Sequence, residues 1–301
     1  MNRSSLALFT TVYPGVEAYL PAWHASVQAQ TDNEFDLWVA VDGLSVATVA
    51  AQFGCGQTAT WVVAKPGDSP AEVRQRALAK IVKEYSAVVL VDSDDLLEPT
   101  RVAAARQWLE QSDATACAMR LIDAVGQDLG MRMELPPGVV MRELLPRYNL
   151  SGLSNTAYRA DILAQCLPIP SGCALVDWFL ITRAWAAGAR LSFDSTCQMA
   201  YRRHPTNTAP LLPPFTRPQI MAATSLVQSH YDLTLRQWNG GSVACRTKIQ
   251  SEQERIAVFA AAMSALPTRW DDYVSALNQL PPTLLWWSCV AHQQLCDLWK
   301  A

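Results

Sequence analysis

Short apolar runs alternate with longer amphipathic stretches along the first third of the chain. Four runs rich in aliphatic and aromatic residues predict β-strands over residues 6–13, 35–43, 59–65 and 87–95. Apolar residues at helical spacing follow three of these runs and predict helices over residues 16–30, 66–85 and 99–112. Almost continuously apolar strands joined by helices are typical of a parallel sheet covered on both faces. The pattern therefore predicts an α/β fold with a mostly parallel sheet flanked by helices.

Two of the predicted helices carry boundary signals. Ser69 is suited to an N-cap, Pro70 stands at the first helical position, and Glu72 completes a capping box. A further amphipathic stretch over residues 176–188 ends at Gly188, the residue type that most often follows a helix. These signals predict where the first of these helices begins and where the second ends.

The pattern changes after a proline-rich segment, residues 209–218. Residues 219–301 predict helices that carry several tryptophans. We therefore expect a first domain over residues 1–214 and a helical C-terminal extension over residues 215–301.

The tryptophans near the C-terminus, Trp286, Trp287 and Trp299, have three interpretations. An interfacial membrane helix usually has a polar face rich in Lys and Arg, whereas this segment has only Lys300. Packing against the first domain or against a second copy of the chain is favoured, so a homo-oligomer formed through these helices stays open. A platform on which an acceptor sugar stacks is also open.

Composition narrows the class of protein. Half of the 301 residues are hydrophobic and 17% are charged, so a sizeable core is expected. The net charge of -3 gives no electrostatic reason to bind nucleic acid or an anionic membrane. No apolar run reaches the roughly 18 residues of a membrane span, and residues 1–15 do not have the pattern of a secretion signal. The eight cysteines form no CxxC pair, which favours reduced thiols in a cytoplasmic protein.

Three acidic residues, Asp92, Asp94 and Asp95, follow the fourth apolar run. Parallel sheets bind ligands beyond the carboxyl ends of their strands, where Tyr13 and Asp42 end the first two runs. Carboxylate oxygens suit Mg²⁺ or Mn²⁺, and such a cation removes the repulsion that raises the pKa of one carboxyl group in a cluster. The alternative for the triplet is a solvated turn, and for Asp42 an Asp-Gly turn.

These segments resemble family 2 glycosyltransferases with the GT-A fold. "VDSDDLLEP" is similar to the strand-ending DxD signature of that family, and "FDLWVAVDG" is similar to its second strand, whose terminal Asp contacts the nucleotide base. "PGDSPAEVRQRAL" resembles the segment after the third strand, in which an Arg-Asn pair is usual. In this chain the pair is Arg74-Gln75.

Two downstream segments continue the resemblance, which covers residues 5–208. "LVDWFLITRAWAAGARLSF" is similar to the Glu-Asp segment of the family, whose Asp is the catalytic base; Val176 stands at the Glu position and Asp177 at the Asp position. "YRRHPTNT" resembles the Tyr-Arg-x-His stretch that often ends the catalytic domain and includes Arg202 and His204.

The resemblance implies an inverting glycosyltransferase with a GT-A-like sheet. It would move a sugar, a hexose from a UDP-sugar being favoured, to a hydroxyl of a glycan, lipid-linked or protein acceptor, as in polysaccharide biosynthesis. Asp177 would be the catalytic base, with an N-cap as the alternative. The implied donor-binding residues are Tyr13, Asp42, Arg74, Asp92 and Arg202. The implied ligands of Mn²⁺ or Mg²⁺ are Asp92, Asp94, Asp95 and His204.

Two other functions stay open. The missing Glu at Val176 favours a non-catalytic nucleotide-sugar-binding or assembly protein. A sugar-1-phosphate nucleotidyltransferase is less favoured, because it normally has a Gly-rich phosphate loop with basic residues after the first strand. The corresponding segment here, "TTVYPGVEAYL", has no basic residue.

Overall fold

The computed structural model describes residues 5–53, 58–266 and 268–300. The chain forms two compact units. The first, which we call the sheet unit, contains the described residues of 1–136 and 151–204. The second, the helical unit, contains those of 137–150 and 205–301, and so includes residues 205–214. The predicted domain boundary at 214/215 stays a prediction.

Within the described residues the sheet unit has nine strands. In chain order they are β1 (Leu6–Val12), β2 (Asp36–Val41), β3 (Ala59–Val63), β4 (Ala87–Leu90), β5 (Leu96–Leu97), β6 (Ala114–Ile122), β7 (Asp128–Met133), β8 (Thr156–Arg159) and β9 (Leu191–Arg202). The sheet order is β3-β2-β1-β4-β8-β6-β9-β5, and β7 pairs with β6. The four predicted strands, β1 to β4, pair in parallel, as do β6 and β9. The strands β5, β7 and β8 pair antiparallel with their neighbours.

Helices flank this sheet and build the second unit. The helices of the sheet unit are α1 (Leu20–Gln28), α2 (Val46–Gln52), α3 (Pro70–Glu84), α4 (Arg101–Leu109), α6 (Ala160–Cys166) and α7 (Val176–Ala186). Those of the helical unit are α5 (Met141–Leu144), α8 (Arg217–Arg236), α9 (Val243–Ala265) and α10 (Thr268–Gln279), followed by a 3₁₀-helix (Gln293–Leu298). The predicted α/β class with C-terminal helices is confirmed.

The predicted start of α3 and the predicted end of α7 are also confirmed. Ser69 and Glu72 form the capping box at the start of α3, with Pro70 in the first turn. Gly188 follows α7 with φ +85°, a conformation that glycine adopts without the steric cost of a side chain. Every residue of β1 and β4 is buried, which explains why both read as continuous apolar runs.

The C-terminal tryptophans are placed differently from the prediction. The segment around Trp286 and Trp287 is not helical, because Pro281-Pro282 interrupts the chain and Trp287 has φ 70°. Trp286, Trp287 and Trp299 are 5%, 5% and 2% exposed. Side chains buried in this way are not available on the surface, so their packing does not support an oligomer formed through them.

Two predictions about the chain as a whole are tested only within the described residues. No helix there combines the length and the apolar character needed to cross a membrane. Seven cysteines there are free thiols. The eighth, Cys55, lies outside the described residues.

Candidate functional site

The carboxyl ends of the central parallel strands meet at one edge of the sheet. Asp42 follows β2, and its backbone N–H donates to the Val12 carbonyl at 2.9 Å. Gly43 has φ +68°, and a Cβ there would lie 3.0 Å from Cγ of Pro14. The Asp42-Gly43 turn is therefore packed closely against the turn after β1. The carboxylate of Asp42 is half-buried and accepts no hydrogen bond from the described residues, so the structure does not join it to the acidic triplet.

The acidic triplet follows β4 at the same edge. Asp95 is fully buried, Asp94 is 6% exposed and Asp92 is half-buried. Between them, Ser93 donates its hydroxyl hydrogen bond to the Thr11 carbonyl on β1 at 2.8 Å. The triplet is thus held inside the unit, and the solvated-turn alternative does not fit its burial.

Asp95 uses both of its oxygens within the protein. Its Oδ1 accepts the backbone N–H of Arg202 at 2.6 Å, and its Oδ2 accepts the hydroxyl of Ser154. Because both oxygens are engaged, Asp95 is bound to the end of β9 and to the segment before β8. In this arrangement both oxygens of Asp95 already accept a hydrogen bond, so neither is left unengaged for the predicted metal.

Arg202 is buried, at 3% exposure, and its guanidinium contacts the main chain. Its Nε donates to the Asp94 carbonyl at 2.7 Å, and its Nη1 donates to the carbonyls of Asp123 and Ala124 at 3.3 and 3.2 Å. The guanidinium also lies 4.7 Å from the centre of the Tyr19 ring. These partners hold Nε and Nη1, whereas Nη2 has no hydrogen-bond partner within the described residues. The contact of Arg202 with a donor phosphate therefore stays a prediction.

His204 is bonded to one of its predicted fellow ligands. Its Nε2 lies 2.8 Å from Oδ2 of Asp94. The imidazole also stacks on Tyr19 with ring centres 5.4 Å apart. The Nε2 of His204 is therefore directed at a carboxylate oxygen, and the contact orients Asp94.

Arg74 and Asp177 approach the triplet from two helices. Arg74 lies on α3, and its buried Nε has no hydrogen-bond partner among the described residues. Asp177 is half-buried in the first turn of α7, whose N-cap is Leu175. The alternative of Asp177 as an N-cap is therefore wrong. Val176 is 3% exposed, so a Glu at this position would be buried.

Burial raises the pKa of the Asp92 carboxyl group to about 7. The charges of Asp94 and Asp177 raise this pKa further, and the Arg74 guanidinium lowers it. Burial, together with Asp94 and Asp92, also raises the pKa of Asp95 well above its ordinary value. Since the charges of Arg74 and Asp177 act on the pKa of Asp92, both side chains lie close enough to the triplet to interact with it electrostatically.

Tyr13 belongs to the same neighbourhood. Burial raises the pKa of its hydroxyl group, and the charges of Asp94 and Asp92 raise it further, while the Arg74 guanidinium lowers it. The phenol therefore stays protonated and can donate a hydrogen bond. The charges that shift these pKa values therefore place Tyr13, Arg74 and Asp177 near the acidic triplet, and their roles toward a donor or acceptor stay predictions.

The residues fit a divalent cation only in part. Among the described residues, no three His, Cys, Asp or Glu side chains form a ready metal cage. However, Oδ1 of Asp92 and Oδ1 of Asp94 accept no hydrogen bond in the described part of the chain. Two unengaged carboxylate oxygens that repel each other suit Mg²⁺ or Mn²⁺, which commonly complete their coordination with water and substrate phosphates.

Two residues of the site have no counterpart in the sequence predictions. Ser154 is 1% exposed and contacts Asp92 and Asp95. Tyr19 packs against Arg202 and His204. Both lie in stretches without a motif, and only the folded chain brings them to the acidic triplet.

A cavity of about 720 Å³ lies at the opposite edge of the sheet. It is lined by Leu6 and Ala87, which begin β1 and β4, and by Arg106, which is paired with Asp32. Ligands of parallel sheets bind at the carboxyl edge. The acidic triplet, rather than this cavity, is therefore the candidate site.

Comparison with solved structures identifies the fold. S. aureus TarS matches at 15% identity and a TM-score of 0.60, over 86% of this chain and 45% of the TarS chain. TarS 1-349 in complex with UDP-GlcNAc matches at 15% identity and a TM-score of 0.59, over 82% of this chain and 71% of that chain. The mannosyltransferase PcManGT from Pyrobaculum calidifontis, in complex with GDP-Man and Mn²⁺, matches at 16% identity and a TM-score of 0.56, over 91% and 78%.

This chain therefore spans less than half the length of the longer TarS chain. No family model matches it, and no curated protein matches it. At these identities the likeness concerns the fold: the chain has the fold of solved glycosyltransferases.

Proposed function

We propose that the chain transfers a sugar from a nucleoside-diphosphate sugar to an acceptor hydroxyl. The observation that carries this proposal is the acidic triplet, in which two carboxyl groups are buried, one is half-buried, and none forms an ion pair with Arg or Lys among the described residues. A divalent cation would balance these charges, and a diphosphate would in turn balance the cation. The fold shared with solved glycosyltransferases supports this function.

The donor would bind along the carboxyl edge of β1, β2 and β4. Arg74 is the candidate for the diphosphate, since its buried Nε has no partner among the described residues and guanidinium groups bind phosphate oxygens well. Tyr13 and Asp42 end the two strands beside it and are the candidates for the nucleoside. UDP and GDP are both candidate carriers, because the solved neighbours hold UDP-GlcNAc and GDP-Man.

Asp92 and Asp94 would hold the cation through their unengaged oxygens. When bound, Mn²⁺ or Mg²⁺ supplies positive charge that stabilises the leaving diphosphate. In this assignment Asp95 and His204 are positioning residues. Asp95 anchors the backbone of Arg202, and His204 orients Asp94. The set of metal ligands is therefore narrower than the four residues predicted from the sequence.

Asp177 would act as the catalytic base. Its carboxylate accepts the proton of the acceptor hydroxyl while that oxygen attacks the anomeric carbon. The new bond forms on the face opposite the diphosphate, which leaves with the electron pair of the broken bond. A single displacement of this kind inverts the configuration of the sugar.

The test is release of nucleoside diphosphate from UDP-GlcNAc and GDP-mannose with Mn²⁺, with and without sugar acceptors. We expect turnover in the wild type and a loss of about 10²- to 10⁴-fold in Asp177→Asn, the usual size of general-base catalysis. The variant should still bind the donor. Donor binding without turnover in the wild type would instead favour a non-catalytic binding protein, and no binding of either donor would refute both functions.

A further inference from the structure

Ser154 connects two carboxylates of the acidic triplet through one hydroxyl group. The backbone N–H of Asp92 donates to Ser154 Oγ at 3.2 Å, and the same Oγ lies 3.3 Å from Oδ2 of Asp92. The hydroxyl also donates to Oδ2 of Asp95. Ser154 is 1% exposed and lies 62 residues away from Asp92 in the sequence, just before β8.

The hydrogen-bonding capacity of a serine explains this arrangement. A hydroxyl has one proton to donate and two lone pairs that accept. One lone pair accepts the N–H of Asp92, and the single proton is donated to Oδ2 of Asp95, with Oδ2 of Asp92 as a second, weaker acceptor at 3.3 Å. Since Arg202 N–H binds the other oxygen of Asp95, the position of Asp92 is fixed through Ser154 from two separate parts of the sheet unit.

The consequence concerns the one oxygen of Asp92 that stays unengaged. Ser154 holds the backbone of Asp92 and one side of its carboxylate, which leaves Oδ1 without a partner among the described residues. Without the hydroxyl, the carboxylate of Asp92 would be free to rotate and one oxygen of Asp95 would lose its donor. A metal ligand that is not held in place binds its metal less tightly.

We propose that Ser154 is a positioning residue that keeps Oδ1 of Asp92 available to the divalent cation of the donor complex. The inference rests on the proposed function and deepens it, since it assigns the support of the cation site to a residue outside the acidic triplet. Ser154 touches neither donor nor acceptor in this assignment. Its effect on the reaction passes through Asp92.

The experiment compares three variants with the wild type. Ser154→Ala removes the hydroxyl, and Ser154→Thr keeps it. Thr156→Val is the matched control, because Thr156 lies in the same segment, is 1% exposed and donates its hydroxyl to the Gly152 carbonyl at 3.0 Å without touching a carboxylate. Free Mn²⁺ is measured by electron paramagnetic resonance with Mn²⁺ alone and with Mn²⁺ plus UDP or GDP.

We expect Ser154→Ala to weaken Mn²⁺ binding in the presence of the nucleotide by about 10-fold, the lower end of the effect of removing a residue that supports a metal ligand. Ser154→Thr and Thr156→Val should bind Mn²⁺ like the wild type. In the transfer assay, Ser154→Ala should need about 10-fold more Mn²⁺ for half of its maximal rate, whereas the rate at saturating Mn²⁺ should change little. A merely structural role of Ser154 would lower the rate at saturating Mn²⁺ as well, instead of changing only the Mn²⁺ concentration that the enzyme needs.

Three outcomes overturn the inference. The first is that Ser154→Ala binds Mn²⁺ like the wild type. The second is that Thr156→Val weakens Mn²⁺ binding equally, which would mean that only the integrity of the segment matters. If the wild type itself binds no Mn²⁺ with either nucleotide, the metal of the proposed function fails and the inference fails with it. Should Ser154→Ala not fold, Ser154→Cys replaces it, because a thiol is a weaker donor of similar shape and should give an intermediate loss.

Discussion

The two units treat buried acidic side chains in opposite ways. In the helical unit, Glu252 is 8% exposed and accepts hydrogen bonds from two guanidinium groups, from Arg147 at 2.9 Å and from Arg255 at 2.6 Å. In the sheet unit, Asp92 and Asp95 form no ion pair with a basic residue of the described chain. The charge of Glu252 is thus balanced by ion pairs within the protein, whereas Asp92 and Asp95 have no such ion pair among the described residues.

This difference separates a structural from a functional carboxylate. A buried charge is costly unless it is paired, so Glu252 is expected to be tolerated only because both arginines are present. An unbalanced acidic cluster reduces the stability of the fold, which is a cost that ligand binding can offset. Removing a carboxylate should therefore change the free energy of unfolding in opposite directions in the two units.

The largest effect is expected from Asp94→Asn in the sheet unit. Loss of one cation ligand should reduce turnover of the nucleotide sugar by on the order of 10³-fold, since a bound cation contributes several kcal/mol to stabilising the leaving charge. The free energy of unfolding of the metal-free chain should stay the same or rise, because a repulsive charge is removed. Transfer assays and urea denaturation measure the two quantities. Equal loss of activity and stability would contradict the comparison.

Glu252→Gln should have the reverse effect in the helical unit. The change leaves Arg147 and Arg255 without their carboxylate, and we expect the free energy of unfolding to fall by about 2–3 kcal/mol, reduced from the value for a fully buried pair because Arg147 is partly exposed. Urea denaturation measures the change. The control is Glu254→Gln, an exposed residue of the same helix for which a change below about 0.5 kcal/mol is expected. Similar results for both variants would show that Glu252 is not a structural ion pair.

The metal-free sheet unit should lose stability as the pH rises. The pKa of Asp92 is raised from 3.8 to about 7, so between these values the folded chain binds more protons than the unfolded chain. The free energy of unfolding should therefore fall on going from pH 5.5 to pH 7, on the order of 1–2 kcal/mol. Urea denaturation in EDTA measures this slope, which Asp92→Asn should make less steep, although Asp95, whose pKa is also raised, contributes with the same sign. A variant with the wild-type slope would assign the pH dependence to other groups.

The helical unit should show a smaller dependence of opposite sign. Burial lowers the pKa of His230 from 6.5 to about 3, so the unfolded chain binds the extra proton between these values. The free energy of unfolding should fall by about 1 kcal/mol as the pH drops from 6.5 to 5.5. His230→Gln, which has no titrating group, should reduce this loss. Identical acid sensitivity in variant and wild type would contradict the assignment.

The centre of the sheet could be predicted because its strands and the helix α3 have signals in neighbouring residues of the sequence. The strands β1 and β4 are apolar throughout because both faces are covered, and the capping box of α3 marks a helix start directly. The helix α2 is not predicted, because its single buried residue, Val49, gives no helical periodicity. The segment at Trp286 and Trp287 is predicted as helix because apolar content does not reveal a positive φ.

Only those residues of the site that stand at strand ends or in family motifs were predicted from the sequence. The acidic triplet and Asp177 stand in such positions. Ser154 does not, because its partners Asp92 and Asp95 lie about 60 residues earlier in the chain and the contact exists only in the folded sheet. Arg202 shows a second limit. Its residue type indicates affinity for anions but does not reveal that backbone carbonyls hold its Nε and Nη1 in the fold.

The central claim is that the acidic triplet binds a nucleoside diphosphate together with a divalent cation. Thermal unfolding of the wild type and of Asp94→Asn, with UDP or GDP and with or without Mn²⁺, tests it most directly. At nucleotide about 100-fold above Kd, binding stabilises the folded state by about 2.7 kcal/mol. We predict that one nucleotide raises the Tm of the wild type only together with Mn²⁺, and that Asp94→Asn abolishes the increase. An unchanged Tm with both nucleotides, or an equal increase in the variant, would contradict the claim.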